Sequence, residues 1–379
     1  MEKYKEISPY SDEQAREAFA RIAKHPMLPV ASMFLFPNQP INTFNKLIKG
    51  IKTVDEFQSV VMERLVSACI ERSSSGFTVS GIENLNPEQR FLAVSNHRDI
   101  ILDPALVQWT LFKEGVPFTE ICVGSNLLQG QLVSDLLRSN RMIKVIRGIS
   151  AREMYLSSKL LSSYIRDAVS TGRSSVWIAQ REGRTKNGMD LTEQGLLKMF
   201  DMSGSGDFQS NFEALNILPM SISYEYESCD IRKARELLIA RSQKYVKKRN
   251  EDTHSILTGI RQWKGGMHLH IDKPLTSEEI AIAAECDKNL RYQALRGILD
   301  RRIINGYHLW KTNYMGYDLM TGTKKYSDKY SEEDLAAFKA YTERKLNKVE
   351  RRLDRDALRQ IFWEIYGNPV LAKERLNEA

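Results

Sequence analysis

No apolar run in this 379-residue chain approaches the roughly 18 residues that a membrane span requires. The longest apolar patches, such as Met27 to Phe36, are short, and Pro29 breaks that one. The opening residues MEKYKEISPY lack the apolar core of a signal peptide. Cysteine is scarce: Cys69, Cys122, Cys229 and Cys286 are widely scattered. None is paired at metal-ligand spacing and they form no disulfide framework, so a reducing cytoplasm and no bound metal are expected. Internal repeats and low-complexity segments are also missing, which excludes solenoid and fibrous classes. These absences leave a soluble or peripheral globular protein, expected in the cytoplasm or on the cytoplasmic face of a membrane.

What is present is ordinary in bulk. Hydrophobic residues make up 42% and charged residues 27%, enough for a sizeable core and one or two domains. The net charge of +7 suits an anionic small substrate, an anionic membrane surface or nucleic acid. The chain has no basic stripe interleaved with aromatics, so nucleic acid is not the expected partner.

The hydrophobic period divides the chain in three. Residues 1–76 read as helical: Ser11 with Gln14 and Thr53 with Glu56 resemble capping boxes, and Phe57, Val61, Leu65, Ala68 and Cys69 recur at helical spacing. Over residues 77–275 short β-rich runs alternate with helical segments. The runs are 91–94, 118–123, 142–146, 175–179, 217–223 and 267–271. This alternation predicts an α/β domain with a largely parallel central sheet flanked by helices. Residues 276–379 turn helical again, with a charged helix from Ser331 and a last one over 356–366 that Gly367 and Pro369 would end.

The densest chemistry lies in Asn96-His97-Arg98-Asp99-Ile100-Ile101-Leu102-Asp103-Pro104, directly after the run Phe91 to Val94. Histidine on a loop leaving a strand can act as a base near neutral pH, and a carboxylate can fix its tautomer. Parallel sheets place their sites at such strand ends. Asp103-Pro104 reads as a helix start, Asp as N-cap and Pro at the first helical position. Either Asp103 or Asp99 could orient the imidazole; the helix start favours Asp103. Two basic turns also follow strands. One holds Lys144 and Arg147; the other holds Glu182, Gly183, Arg184 and Lys186. Their glycines permit close backbone approach, and their cations suit a phosphate. His97-Arg98-Asp99 also opens a kinase catalytic loop, but Pro104 stands where that loop needs asparagine, and there is no glycine-rich loop.

Together these strings resemble the blocks of the glycerolipid acyltransferases, in a soluble bacterial branch similar to the plastid glycerol-3-phosphate acyltransferases. Asn96-His97 with Asp103-Pro104 is similar to the first block, although five residues separate His97 from Asp103 where the family has four. Met142 to Gly148 resembles the second block, WIAQREGRTKNG at 177–188 the third, and Ile217 to Ile222 the fourth. Arg184 comes one position earlier than the arginine of the family's Glu-Gly-Thr-Arg form, so Lys186 is a second candidate for its role. The resemblance covers about residues 77–275 and implies the fold of glycerol-3-phosphate acyltransferases.

It also implies an enzyme that moves a fatty acyl group from a thioester to a hydroxyl of lysophosphatidate or glycerol-3-phosphate, in phospholipid synthesis. A lyso-amino lipid or another hydroxylated acceptor is the alternative, and a non-catalytic binder of anionic lipid or nucleic acid the more distant one. In this reading His97 is the general base and Asp103 or Asp99 its orienting carboxylate. Lys144, Arg147, Glu182, Gly183, Arg184 and Lys186 hold the acceptor phosphate. No cofactor is bound, and acyl-CoA or acyl-carrier protein is the co-substrate. Peripheral contact with an anionic membrane is expected.

Overall fold

The computed structural model describes residues 2–36, 38–148, 150–248 and 250–378. The N-terminal part comprises α1 (Asp12–Ile22), α2 (Leu28–Leu35), α3 (Thr43–Gly50), a single turn α4 (Val54–Glu56) and α5 (Glu63–Ser73). Ser11 and Gln14 form the expected capping box on α1. At Thr53 only half of the device forms: its hydroxyl accepts from Glu56 N–H, while the Glu56 carboxylate turns to Lys52 N–H. Phe19, Phe44, Phe57 and Val61 share a small core of their own with the other N-terminal apolar residues.

Seven strands follow: β1 (Gly76–Ser80), β2 (Leu92–Ser95), β3 (Glu120–Gly124), β4 (Met142–Val145), β5 (Val176–Ala179), β6 (Ile217–Tyr224) and β7 (Gly266–Ile271). They form one sheet in the order β1-β7-β6-β2-β5-β3-β4. β2 to β6 are parallel to one another, and β7 pairs antiparallel with β6. β1 pairs parallel with β7 and so runs against the rest. The sheet is thus largely parallel, as the alternating pattern required. β1 was not legible, because Gly76-Phe77-Thr78-Val79-Ser80 is half-buried at the sheet edge and short of large apolar residues.

Between the strands run α6 (Leu102–Lys113), α7 (Gln131–Arg138), α8 (Ala151–Ser170), α9 (Gln194–Asp201), α10 (Phe208–Glu213), α11 (Asp230–Ala240) and α12 (Glu251–Arg261). Successive strand residues point to opposite faces. Leu92, Val94, Val176 and Ile178 enter one core with Tyr164, Ile165 and Phe200. Ala93, Trp177 and Leu218 enter the other, with Val107 and Leu111 of α6.

The chain closes with α13 (Ser277–Ala284), α14 (Arg291–Gly306), α15 (Lys311–Thr321), α16 (Glu332–Leu346) and α17 (Arg355–Glu378). The expected stop at Gly367 and Pro369 is a correction: α17 continues through both to Glu378. Gly367 lies against the backbone of Tyr317, and Gly316 lies against Gly367 N, so a Cβ at either position would collide. The two glycines serve close helix packing between α15 and α17, and tertiary packing there overrides the local stop signal.

Candidate active site

β2 lies inside the sheet between β6 and β5, so the loop after it emerges where strand order reverses. That crevice is where open α/β sheets hold ligands. His97 sits there, and the loop around it is fixed by backbone and side-chain bonds. The His97 carbonyl accepts from Thr185 N–H at 2.7 Å, tying it to the turn after β5. Asn96 is fully buried; its amide donates to Ile222 O at 2.9 Å and accepts from Ile222 N–H at 2.7 Å, tying the loop to β6.

Asp103 is the imidazole's partner: His97 Nδ1 lies 2.8 Å from Asp103 Oδ2. The same oxygen accepts from the N–H groups of Arg98 at 2.5 Å and Asp99 at 2.8 Å. Its other oxygen accepts from the Tyr224 hydroxyl at 2.6 Å. Four donors thus converge on one buried carboxylate, and the five intervening residues wrap around it. Asp103 is not the N-cap expected for α6; it lies in the helix's first turn, with Pro104 beside it where no N–H is needed.

Asp99 performs the capping instead, which corrects its candidacy as His97's partner. Asp99 Oδ1 accepts from Ile101 and Leu102 N–H, each at 2.9 Å, and Oδ2 accepts from the Ser228 hydroxyl. The carboxylate turns toward α12, where Gly259 leaves room: a Cβ there would collide with it.

Arg98, between the two, is fully buried. Its guanidinium donates to Asp190 at 2.5 and 3.2 Å, to Glu227 at 3.2 Å and to Gly188 O at 3.2 Å. Lys233 pairs with Glu227 and donates to the Arg98 carbonyl at 2.8 Å. Two buried cations face two buried carboxylates, so the charges balance; one partner removed would strand another in low dielectric. Nothing in the local string around Arg98 signals this network, because Asp190, Glu227 and Lys233 lie far along the chain.

A cavity of about 370 Å³ opens in front of His97. Trp177 forms part of its wall and packs edge-on to the His97 ring at 5.8 Å between centroids. Trp177 Nε1 donates to the Ser95 hydroxyl at 3.1 Å, which fixes the indole. Its apolar lining includes Ile100, Ile101, Ile121, Leu127, Val133 and Met142. Its basic lining includes Arg147 after β4, and Arg181, Arg184 and Lys186 in the turn after β5 that also holds Glu182 and Gly183. Gly183 has φ of 71°, which only glycine adopts without strain. Arg147 pairs with Glu182 at 3.4 Å and lies over Gly124, where a Cβ would press on its guanidinium. Lys186 pairs with Glu236. Arg184 Nη1 is buried and has no hydrogen-bond partner among the described residues.

Lys144 is the exception among the residues expected at the phosphate. It is absent from the cavity lining, and its ammonium lies 3.5 Å from Glu6. Lys144 sits within β4 and lines a smaller adjoining cavity of about 180 Å³, together with Arg147, Arg181 and Glu182. Arg181 and Tyr224 were missed at the sequence level. Arg181 stood at the start of the basic turn and could have been included; Tyr224 ends a fully buried strand and carried no local signal. The turn 181–188 also leans on α17: Asn368 donates to Asn187 O at 2.7 Å, and Gly188 lies against the Ile365 carbonyl.

The geometry offers a base with an acceptor nitrogen. If Nδ1 donates to Asp103, Nε2 is left free to take a proton from a molecule in the cavity. A lining that combines basic groups with apolar side chains suits a molecule with an anionic head and a hydrocarbon chain. Among the described residues no group of histidine, cysteine and carboxylate side chains is arranged to hold a metal ion. Among the described residues no helix is long and apolar enough to cross a membrane.

Residues 76–223 match the family model described as Acyltransferase. That span includes β1 to β5 and most of β6, with His97, Asp103 and the basic turns. No curated protein matches the chain. Among solved structures, the 1-acyl-sn-glycerophosphate (LPA) acyltransferase PlsC from Thermotoga maritima is similar at 14% identity, covering 76% of this chain and 92% of that one, with a TM-score of 0.39.

Proposed function

We propose that this chain, whose residues 76–223 match the acyltransferase family model, is an O-acyltransferase that moves a fatty acyl group from a thioester to a hydroxyl of a glycerol-phosphate acceptor. One observation carries this reading. The His97–Asp103 pair opens on a cavity lined by both arginines and apolar side chains.

The chemistry follows from that placement. Arg184, Arg147 and Lys186 hold the acceptor phosphate and bring its hydroxyl to His97 Nε2. Nε2 removes the hydroxyl proton as the oxygen attacks the thioester carbonyl. The tetrahedral intermediate collapses, the C–S bond breaks, and the proton on His97 passes to the departing thiolate. Asp103 holds the ring and stabilises the imidazolium, as a triad carboxylate does, with the substrate alcohol in place of serine. A base so placed supplies roughly a hundred- to ten-thousandfold in rate.

Of the two acceptors, lysophosphatidate fits the site better than glycerol-3-phosphate, because its acyl chain has the cavity's apolar side chains to lie against. Met27, Val30, Met33 and Ile41 are exposed around α2, more apolar surface than one small region needs. The N-terminal helices reach the cavity through α7: Leu132 and Leu136 pack on their core, while Val133 lines the cavity. This arrangement supports peripheral binding to a membrane that supplies the acceptor.

The test is acyl transfer by the purified protein from acyl-CoA and from acyl-carrier protein to each acceptor. Transfer to lysophosphatidate at a higher kcat/KM than to glycerol-3-phosphate is expected. No transfer to any hydroxylated acceptor from either donor contradicts the reading.

A further inference from the structure

A second cavity, of about 1020 Å³, lies on the far side of α12 from His97. α12 is the wall between the two. Asp252 and Ile256 face the His97 cavity, and His254, Leu257 and Arg261 face the second. α16 and the turn after it form the opposite side, through Tyr341, Lys345 and Lys348. Small-molecule sites occupy about 300–1,000 Å³, so this volume is at their upper end.

The charge around it is one-sided. Six lysine and arginine side chains line the cavity against two carboxylates. Both carboxylates are already engaged. Arg235 grips Glu350 through two bonds, at 2.6 and 2.8 Å. Glu251 accepts from the Tyr245 hydroxyl at 2.8 Å and from Lys248 N–H at 3.0 Å. Lys345 is held by Asp230 at 2.8 Å. Four cations are left: Arg232, Lys248, Arg261 and Lys348 have exposed side chains and no ion-pair partner among the described residues. Trp263 lines the same cavity and is 51% exposed.

Unpaired cations around a concave volume select a ligand with several negative charges. An exposed indole beside them selects a flat ring, through stacking. We infer that this cavity binds a nucleotide carrying two or more phosphates. Its base lies on Trp263, and its phosphates lie among Arg232, Lys248, Arg261 and Lys348. An acidic protein surface would engage the cations but leave the volume and the indole unused. The nucleotide has two sources: the nucleotide part of a coenzyme A thioester, or a free nucleotide. In the first case its acyl arm passes around α12 to His97; that part alone rests on the acyltransferase reading.

Calorimetric titration at low salt tests the site, with coenzyme A, adenosine triphosphate and pyrophosphate as probes. Micromolar binding of at least one nucleotide is expected. The Arg261→Ala/Lys348→Ala double variant, altered at exposed positions, should weaken it tenfold or more. Trp263→Ala should weaken nucleotide but not pyrophosphate binding. His97→Ala should bind like the wild type, which separates this result from any failure of catalysis. Preference for coenzyme A over adenosine triphosphate identifies the donor as the source; equal or reversed preference identifies a free nucleotide. The inference is overturned if neither nucleotide binds, or if the double variant binds both unchanged. Binding of an acidic carrier protein that the double variant abolishes, with no nucleotide bound, likewise overturns it.

Discussion

The Tyr224 hydroxyl donates to Asp103 Oδ1 at 2.6 Å, from the last residue of β6 to the carboxylate that faces His97. Burial first, and the charge of Asp103 second, push the phenol well above its ordinary value, so it remains a donor through neutral and mildly alkaline pH. Tyr224→Phe leaves one buried carboxylate oxygen without its donor, at about 1.5–3 kcal/mol for a bond to a charged group. A fall in kcat of roughly tenfold or more is expected, with KM for both substrates little changed. Steady-state kinetics beside thermal denaturation separates this from loss of fold.

Arg184 and Lys144 make opposite forecasts, although both are basic residues in blocks of the resemblance. Arg184 lines the cavity with an unpartnered buried nitrogen, while Lys144 faces Glu6. Arg184→Ala should raise KM for a phosphorylated acceptor by about ten- to a hundredfold, the equivalent of one charge-assisted bond. Lys144→Ala should leave it within about twofold. Equal effects from the two variants would break the phosphate assignment.

Arg98 and its partners govern stability rather than chemistry. Arg98→Met removes the guanidinium and leaves Asp190 and Glu227 buried with Lys233 as their remaining cation. Breaking a buried pair this way costs about 3–5 kcal/mol. Chemical denaturation should show a loss of that order, and activity should fall as the His97 loop loses its anchor.

His268 makes the fold sensitive to acid. Burial first, then His308 and His270, push its pKa down to about 4 from the usual 6.5. The unfolded chain therefore binds the proton more readily, and stability is fully present above about pH 6.5. It is lost as pH falls through that value toward about 4. The contribution is up to about 2 kcal/mol after allowance for partial exposure. Melting temperature followed from pH 7.5 to 4.5 should drop less in His268→Gln than in the wild type.

Much of the site could be read from the chain because it follows strand ends. Apolar runs of four to seven residues marked β2 to β6, and His97, Arg147 and Arg184 stand just past three of them. The basic turn at 181–188 was legible because its glycines and cations are contiguous. The helix start at Asp103-Pro104 pointed to Asp103 over Asp99, but what turns Asp99 away was not legible, since it depends on Gly259, 160 positions beyond Asp99, which admits the Asp99 side chain toward α12. Tyr224, Asp190, Glu227 and Lys233 are equally remote from His97 in sequence, and no local pattern ties them to it. The run of α17 through Gly367 and Pro369 likewise depends on packing against α15, which a local stop signal does not report.

The most direct measurement of the central claim is the acyl-transfer rate of His97→Gln against wild type, with lysophosphatidate and an acyl thioester. Retained folding should be verified by melting temperature. A loss in kcat of at least a hundredfold, with acceptor KM nearly unchanged, is the result expected of a general base held by Asp103. A folded variant that transfers acyl groups at the wild-type rate would contradict it.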